Sequence, residues 1–218
     1  MAPSLSFVLP AFNEEANIAE SVRRCASVLS RLEEQGAIVE SEIVVVDDGS
    51  RDSTVECARS VGESRLRIVM HAENRGYGAA LRSGFRSSRC ELVFFTDSDL
   101  QFDVEELERL LPYVDQYDIV AGFRMPRQDP WVRRANAAAW AMALYGAFGL
   151  EVQDVNCAFK LFRSEVLQGL EISSDGAFVN AEILLKAAQR GRSIKQVPVS
   201  HFPRSAGEQT GADPKVVF

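Results

Sequence analysis

Two aspartates separated by one serine could hold a metal ion in this chain. Asp97-Ser98-Asp99 comes directly after the apolar run at 91–95. Carboxylates spaced i and i+2 in an extended turn can face the same way and share one hard divalent cation, Mg²⁺ or Mn²⁺, whose other positions go to water and diphosphate oxygens. Helix capping is the other common use of aspartate, and Asp103 is expected to cap the next helix. The spacing therefore predicts a divalent metal site at Asp97 and Asp99.

A second acidic motif, at 47–50 (DDGS), closes an earlier apolar run. One of its two carboxylates can accept the ring N–H of a nucleobase, while the other can stabilise the turn by accepting backbone N–H groups. We expect Asp48 to face such a ligand; a plain Asp-Gly turn leading into a helix is the structural alternative. Phe12 could stack on the same base with Glu14 beside it, although alone it would be a core aromatic.

The glycine-rich loop at 74–78 (NRGYG) is a further candidate for phosphate binding. It lacks the Lys-Ser/Thr pair of a P-loop and the third glycine of a dinucleotide-binding fingerprint. Neither loop type is therefore predicted. We expect the glycines to let the backbone approach a ligand or to begin a helix.

The elements that must position these motifs follow two alternating patterns. Helical periodicity begins after Asn13, the expected N-cap of the first helix, then after Asp52, and then at Gly78. This order predicts an α/β fold, a doubly wound and mostly parallel sheet with right-handed crossovers and helices on both faces. Ligands bind at the carboxyl ends of such strands, which is where the motifs lie. The strands themselves are short apolar runs at 5–9, 42–46, 66–69 and 91–95.

Composition and charge limit the class of protein. The chain has 218 residues, of which 46% are hydrophobic and 25% charged, as expected for a single soluble domain. Residues 1–121 carry 12 basic and 22 acidic side chains, a balance of −10, whereas residues 122–218 carry 12 basic and 9 acidic, a balance of +3. This split argues against nucleic acid as a partner and favours an acidic half that holds a cation beside a basic half that meets an anion.

Location in the cell is predicted from segments that the sequence lacks. The N-terminal region has no basic leader followed by a long apolar stretch, so no signal peptide is expected. The longest uninterrupted apolar run, at 137–150, has 14 residues, fewer than the ~20 that a membrane-spanning helix needs. Four cysteines without C-x-x-C pairing suggest reduced core thiols. A cytoplasmic protein is therefore expected.

Taken together, the motifs resemble those of the family 2 inverting glycosyltransferases with the GT-A fold, and most closely the polyprenyl-phosphate sugar synthases typified by dolichyl-phosphate mannose synthase. The similarity extends over nearly the whole chain, so its specificity exceeds that of any single motif. The positions that carry it are Pro10, Phe12, Asn13 and Glu14, residues 47–52, residues 97–101, Gly122 and Arg124, residues 131–134, residues 154–163, Glu182, and residues 204–208.

The resemblance implies one GT-A catalytic domain over 1–218, with 1–121 binding a nucleotide sugar and 122–218 the acceptor. Its implied metal ligands are Asp97, Asp99 and Gln101, and its implied catalytic residues are Asp97, Asp99, Arg124 and Arg204. The implied nucleotide-sugar site comprises Pro10, Phe12, Glu14, Asp48, Asp97, Ser98, Asp99 and Arg124. The acceptor phosphate is expected to meet Arg133, Arg134 and Arg204.

The activity implied is metal-dependent inverting transfer of a hexose from a GDP-mannose or UDP-glucose type donor to a polyprenyl or dolichyl phosphate. A lipid monophosphate is already anionic and needs no general base. A saccharide hydroxyl acceptor, the alternative, would need one, and Asp154 or Glu182 could serve; each could equally be a structural acid. A non-catalytic nucleotide-sugar binding module is the third reading, disfavoured because the paired aspartates are intact.

Two sites depart from the family pattern, and one further segment carries a separate prediction. Phenylalanine stands at position 12 where the family usually has tyrosine, and Gln209-Thr210 replace the family's Ser-Lys. The segment 131–150 starts with a tryptophan beside two arginines, which is typical of a bilayer interface. It is interpreted as a helix lying peripherally on the cytoplasmic membrane face or, equally, as a core helix.

Overall fold

The computed structural model describes residues 2–125, 142, 146, 151–204 and 206. Its strands are β1 Leu5–Ala11, β2 Ser41–Asp47, β3 Leu66–Met70, β4 Leu92–Thr96, β5 Ile119–Arg124, β6 Phe159–Arg163 and β7 Ile194–Val199. Its helices are α1 Ile18–Glu34, α2 Thr54–Ser60, α3 Tyr77–Ser87, α4 Ser164–Gln168 and α5 Val179–Gln189. Two short 3₁₀ helices, Val104–Arg109 and Leu111–Tyr113, follow β4.

The seven strands form one sheet in the order β3-β2-β1-β4-β6-β5-β7. The four strands of the first half pair in parallel, and β5 pairs in parallel with β7. Only β6 runs antiparallel, between β4 and β5. The predicted α/β class with a mostly parallel sheet is therefore confirmed, and parallel pairing brings the carboxyl ends of β1, β2 and β4 to one edge.

Aromatic side chains at the centre of the sheet join the two halves of the chain. Phe94 of β4 packs edge-on against Phe7 of β1 and Phe159 of β6, with ring centroids 4.9 and 4.7 Å apart. All three rings are fully buried. Fully burying a side chain of this size contributes about 1.5–3 kcal/mol. The core therefore fixes β4, whose end carries the paired aspartates, between strands from both halves.

The predicted N-cap of the first helix is wrong. Helix α1 begins at Ile18, and Asn17 occupies the cap position. Asn13 instead has a left-handed backbone, with φ of 54°. Its N–H donates to Ser50 Oγ at 2.9 Å, and its Oδ1 accepts from the Arg51 N–H at 2.9 Å. Asparagine tolerates this conformation, and its side chain is used to join two loops rather than to cap a helix.

Further hydrogen bonds hold the loops after β1 and β2 together. The Glu14 N–H donates to Thr54 Oγ1 at 2.8 Å, and the Glu15 N–H to Asp52 Oδ2 at 3.1 Å. The Ser53 N–H in turn donates to Glu15 Oε2 at 2.9 Å. The two strand-end loops thus form one hydrogen-bonded unit at the edge of the sheet.

The four cysteines are free thiols, three of them buried, as expected. Burial raises the pKa of Cys25 and of Cys157 to about 12, so both remain protonated. Over the described ranges, no helix is both long and apolar enough to cross a membrane. Apart from residues 142 and 146, the segment 131–150 lies outside the described residues, and its two interpretations stay predictions.

The loop at 74–78 approaches another backbone rather than forming a phosphate cradle. The Gly78 N–H donates to the Asp175 carbonyl at 2.6 Å. A Cβ at Gly78 would lie 2.1 Å from the Ser174 carbonyl oxygen. Gly76 immediately precedes α3 and has φ of 95°. The glycines therefore begin a helix, as expected, and let the loop at 173–176 pack against it.

Gly78→Ala should accordingly destabilise the fold by about 1–3 kcal/mol, because the backbone would have to move away from the Ser174 carbonyl. Gly169→Ala is the matched control, since a Cβ there meets nothing closer than 3.4 Å. Urea unfolding of both variants measures the difference. Equal stability of the two would show that the 173–176 loop can shift without cost.

Candidate functional site

The turn that carries the paired aspartates is anchored by its middle residue. Ser98 is buried, its Oγ donates to the Pro10 carbonyl at 2.8 Å, and its own carbonyl accepts from Ser21 Oγ at 2.7 Å. Leu100, just after the pair, has φ of 62°, a strained conformation for a bulky residue. Pro10 and Ser98, both expected at the nucleotide-sugar site, thus lie together and hold the turn in place.

Asp97 and Asp99 lie beside each other at this edge, each with one further donor. The Tyr77 hydroxyl donates to Asp97 Oδ1 at 2.9 Å, and the Gln101 N–H donates to Asp99 Oδ1 at 3.1 Å. Burial raises the pKa of both carboxyl groups, and the neighbouring Asp99 charge raises that of Asp97 further. Ionising both of these adjacent carboxyl groups at once is costly. The pair is therefore a donor set that fits a divalent cation.

Within the described ranges, no group of three or more His, Cys, Asp or Glu side chains could hold a metal. A cation here would therefore take its remaining ligands from water or from a bound molecule. The third expected ligand, Gln101, uses its side-chain amide to donate to the Phe202 carbonyl at 3.0 Å. Its role as a metal ligand stays a prediction.

Arg204 lies in the segment after β7 and reaches two acids of the site. Its Nη2 lies 2.6 and 2.7 Å from the two carboxylate oxygens of Glu14, and its Nη1 lies 3.8 Å from Asp99 Oδ2. Asn17 Nδ2 also donates to Glu14, at 2.8 Å. Glu14, Asp99 and Arg204, all expected site residues, are thus brought together, with the guanidinium placed between the two acids.

Asp48 performs the stabilising role that one acid of its motif was expected to have. It is 3% exposed and accepts the N–H groups of Arg75 and Gly76 at 3.0 and 2.9 Å. His71 Nδ1 lies 2.6 Å from its Oδ1, and His71 Nε2 lies 2.8 Å from Ser83 Oγ. Asp48 therefore connects the β2 loop to the 74–78 loop. A contact between Asp48 and a nucleobase stays a prediction.

Arg124, expected at the donor phosphates, forms a bidentate ion pair in the structure. Its Nε and Nη2 lie 2.7 and 2.9 Å from the two carboxylate oxygens of Asp154, which is 4% exposed. Planar two-point pairing of this kind is geometrically specific. This pairing is consistent with the structural role that the sequence left open for Asp154, and the alternative role of general base stays untested. Phosphate contact by Arg124 stays a prediction.

Glu182, the other candidate base, is also fully engaged. Its carboxylate accepts from the Ser173 N–H, the Ser173 hydroxyl and the Ser174 N–H at 2.9, 2.7 and 2.8 Å, and it pairs with Lys186 at 2.6 Å. Although burial opposes ionisation, the Lys186 and serine donors hold the pKa of Glu182 well below its usual range. A carboxylate with so little affinity for a proton is a poor general base.

Glu182→Gln is therefore expected to lower stability while leaving turnover within about threefold at temperatures where both proteins are folded. Lost charge-assisted hydrogen bonds should reduce the free energy of unfolding by about 1–3 kcal/mol near pH 7. Because the native pKa is depressed, this difference should be present in full above the ordinary pKa of glutamate and shrink as the pH falls below it toward the native value.

Urea unfolding from pH 3 to 8, alongside steady-state assays, tests this expectation. The exposed Glu56→Gln serves as the control acid. A loss of turnover of about a hundredfold or more at unchanged stability would restore Glu182 as a general base.

Three polar residues near the site were not assigned roles from the sequence. Tyr77 contacts Asp97 and His71 contacts Asp48, as described above. The third residue, Lys160 of β6, is 1% exposed. Burial lowers the pKa of Lys160 to about 8. A signal existed only for Lys160, which is the one charged residue in the apolar run at 157–162.

The remaining expected residues divide into two groups. Phe12 is half-buried at the end of β1, and its stacking on a base stays a prediction. Arg133 and Arg134 lie outside the described residues, so the structure does not test their expected contact with an acceptor phosphate.

Comparison with known proteins identifies the family. The family model described as glycosyl transferase family 2 matches residues 6–170, more than half of the chain. The chain belongs to glycosyl transferase family 2. The family resemblance expected from the sequence motifs is thereby confirmed.

Relatives of this family 2 chain include enzymes that act on a lipid phosphate. The undecaprenyl-phosphate 4-deoxy-4-formamido-L-arabinose transferase of Edwardsiella ictaluri is 32% identical over 209 residues, covering 94% of this chain and 62% of that protein. The enzyme of the same name from Pseudomonas aeruginosa (strain LESB58) is 32% identical over 208 residues, covering 94% and 59%. The family 2 chain thus spans about three fifths of the length of these curated relatives.

Solved structures share the architecture of this family 2 chain. Glucosyl-3-phosphoglycerate synthase from Mycobacterium tuberculosis in complex with Mn²⁺, UDP and glucosyl-3-phosphoglycerate superposes with a TM-score of 0.72 at 24% identity, covering 94% of this chain and 73% of that one. The same synthase in complex with Mg²⁺ and UDP gives a TM-score of 0.70 at 23% identity, with the same coverage. The likeness confirms the expected GT-A fold.

Proposed function

We propose that this chain transfers a sugar from a nucleoside-diphosphate sugar to a polyprenyl phosphate, with inversion at the anomeric carbon and with the help of Mg²⁺ or Mn²⁺. The observation that carries the proposal is the placement of Asp97 and Asp99 beside Glu14 and Arg204, at the carboxyl edge of a GT-A sheet. The similarity to transferases that act on undecaprenyl phosphate supports the choice of acceptor.

Donor binding is assigned to the acidic half of the chain. Asp97 and Asp99 would hold the cation, which when bound neutralises the charge of the departing diphosphate. The strained turn at Leu100 and the anchored Ser98 keep both carboxylates in a fixed place. Pro10, Phe12, Glu14 and Asp48 are proposed to frame the nucleotide.

The acceptor is inferred from which acids are available. Neither Asp154, paired with Arg124, nor Glu182, held by four hydrogen bonds, is suited to remove a proton from a sugar hydroxyl. A phosphate monoester is already ionised and needs positioning rather than deprotonation. Arg204 is proposed to supply that positioning, together with Arg133 and Arg134, by bidentate contact to phosphate oxygens.

A transfer assay tests the proposal. UDP-glucose and GDP-mannose are each incubated with the protein and Mn²⁺, with undecaprenyl phosphate or with undecaprenol, which lacks the phosphate. We expect nucleotide release, and transfer of labelled sugar to the lipid phase, only with the phosphate. The comparison with undecaprenol shows whether the acceptor group is an anionic phosphate or a hydroxyl.

Two results would contradict the proposal in different ways. Transfer to a saccharide or to undecaprenol would establish a hydroxyl acceptor and require a general base elsewhere in the chain. Tight binding of a nucleotide sugar without turnover, with any acceptor, would identify a binding module rather than a transferase.

A further inference from the structure

A buried lysine lies behind the paired aspartates and is not used in the proposed reaction. Lys160 is the second residue of β6, between Phe159 and Leu161, and is 1% exposed. Burying an ammonium group without compensation is costly, and lysine is almost never fully buried unless it is paired. A specific set of partners must therefore offset its charge.

The ammonium group of Lys160 has three oxygen acceptors. Its Nζ donates to the Val155 carbonyl at 3.1 Å, to the Cys157 carbonyl, and to Asn180 Oδ1 at 2.9 Å. It also lies 5.3 Å from the centroid of the Phe95 ring. These contacts use all three N–H bonds and fix the ammonium group, but every acceptor is neutral.

The negative charge that compensates Lys160 comes from nearby acids, among them Asp97. Attraction between Lys160 and Asp97 favours the charged form of both groups. Asp154 also contributes, but it is already paired with Arg124. The negative charges of Asp99 and Glu14 oppose the ionisation of Asp97, and the positive charge of Lys160 partly offsets them.

A second path joins Lys160 to Asp97 through neutral side chains. Asn180, 4% exposed on α5, accepts from Lys160. Burial raises the pKa of the Tyr77 phenol, and the Asn180 amide opposes that rise. Tyr77, at the start of α3, donates its hydroxyl to Asp97 Oδ1 at 2.9 Å. The four side chains come from β6, α5, α3 and the turn after β4, so the connection crosses four separate elements.

We propose that Lys160, Asn180 and Tyr77 are positioning residues, which together orient Asp97 and supply its counter-charge and so set the affinity of the site for a divalent cation. The proposal rests on the proposed function only in taking Asp97 as a metal ligand. Outer partners of metal ligands typically change metal affinity by about 10- to 100-fold when they are removed.

Tyr77→Phe is the first test, because it removes only the hydroxyl that donates to Asp97. Mn²⁺ binding is measured by electron paramagnetic resonance of the free ion, with UDP and separately with GDP as the nucleotide. We expect the Mn²⁺ affinity to fall about tenfold or more while metal-free nucleotide affinity stays unchanged. Tyr113→Phe, in the second 3₁₀ helix, is the matched control and should bind Mn²⁺ as the wild type does.

Lys160→Met is the second test and probes the charge itself. Three oxygen acceptors lose their donor in this variant, so its stability is measured by urea unfolding, and binding is compared only where it is folded. Lys195→Met, which removes a lysine lying over the rings of Tyr113 and Tyr117, is the control. A Mn²⁺ affinity lower than that of Lys195→Met is expected.

The outcomes separate this inference from the proposed function. Wild-type Mn²⁺ affinity in Tyr77→Phe and in folded Lys160→Met would overturn the positioning role, whatever the transfer assay shows. Equal loss of Mn²⁺ and of metal-free nucleotide binding would also overturn it, by indicating general damage to the site. Selective loss of Mn²⁺ affinity supports the role even if no sugar reaches undecaprenyl phosphate, a result that would contradict the proposed function alone.

Discussion

Asp99→Asn should reduce sugar transfer by about a thousandfold or more while leaving the fold intact, because the variant keeps the shape of the side chain and loses its charge toward the cation. Burial raises the pKa of Asp99, so the native protein disfavours its ionised form. Removing that charge should leave the free energy of unfolding unchanged or slightly higher in metal-free buffer. Assays at saturating Mn²⁺, with urea unfolding in parallel, measure both quantities.

Asp103→Asn is the matched control for this prediction. Asp103 lies four residues further on and accepts the Glu105 N–H at 3.1 Å as the cap of the first 3₁₀ helix. Asparagine caps helices nearly as well as aspartate, so activity and stability should both be close to wild type. Retention of wild-type activity by Asp99→Asn in chelator-treated, Mn²⁺-restored assays would refute the metal assignment.

Arg204→Ala is expected to lower kcat/KM by about a hundredfold or more, because one guanidinium group both neutralises Glu14 and lies next to Asp99. Arg204→Lys should recover only part of this loss, since an ammonium group cannot replace a planar two-point contact. Steady-state kinetics with varied donor and varied undecaprenyl phosphate would show which phosphate group loses its contact.

Stability must be followed in the same variant, because Arg204→Ala leaves the carboxylate of Glu14 without its guanidinium partner. Adding Glu14→Gln should restore the unfolding free energy if that unpaired charge is the cause. Arg192→Ala is the control, because it removes an arginine whose ion-pair partners, Asp118 and Glu165, are not expected site residues. An Arg204→Ala protein with wild-type kcat/KM would contradict the assigned role.

The first half of the fold was predictable because its physical signals are local. Each apolar run at 5–9, 42–46, 66–69 and 91–95 overlaps an observed strand. When helices with a clear periodicity alternate with parallel strands, only a few chain topologies are possible. The antiparallel position of β6 was not predictable in this way, since it depends on pairing with β4, which is distant in sequence.

The candidate site was predictable where a motif coincides with a strand end, as at Asp97 and Asp99. Asn13 was misassigned because its real partners, Ser50 and Arg51, lie in another loop and leave no periodic signal. The pairing of Arg124 with Asp154 was missed for the same reason, since the two residues lie in different segments of the chain. Contacts across the fold depend on tertiary packing, which a residue type alone does not specify.

The place of β6 in the sheet has a consequence for biosynthesis. While the nascent chain is being made, β4 can pair with β1 but must wait for Phe159–Arg163 before its other edge is covered. That edge belongs to the segment Leu92–Thr96, which is apolar, aromatic and without charge. Open edges of this composition pair readily with other chains. Ribosome-bound or truncated forms that end before β6 should therefore depend on chaperones to stay out of aggregates.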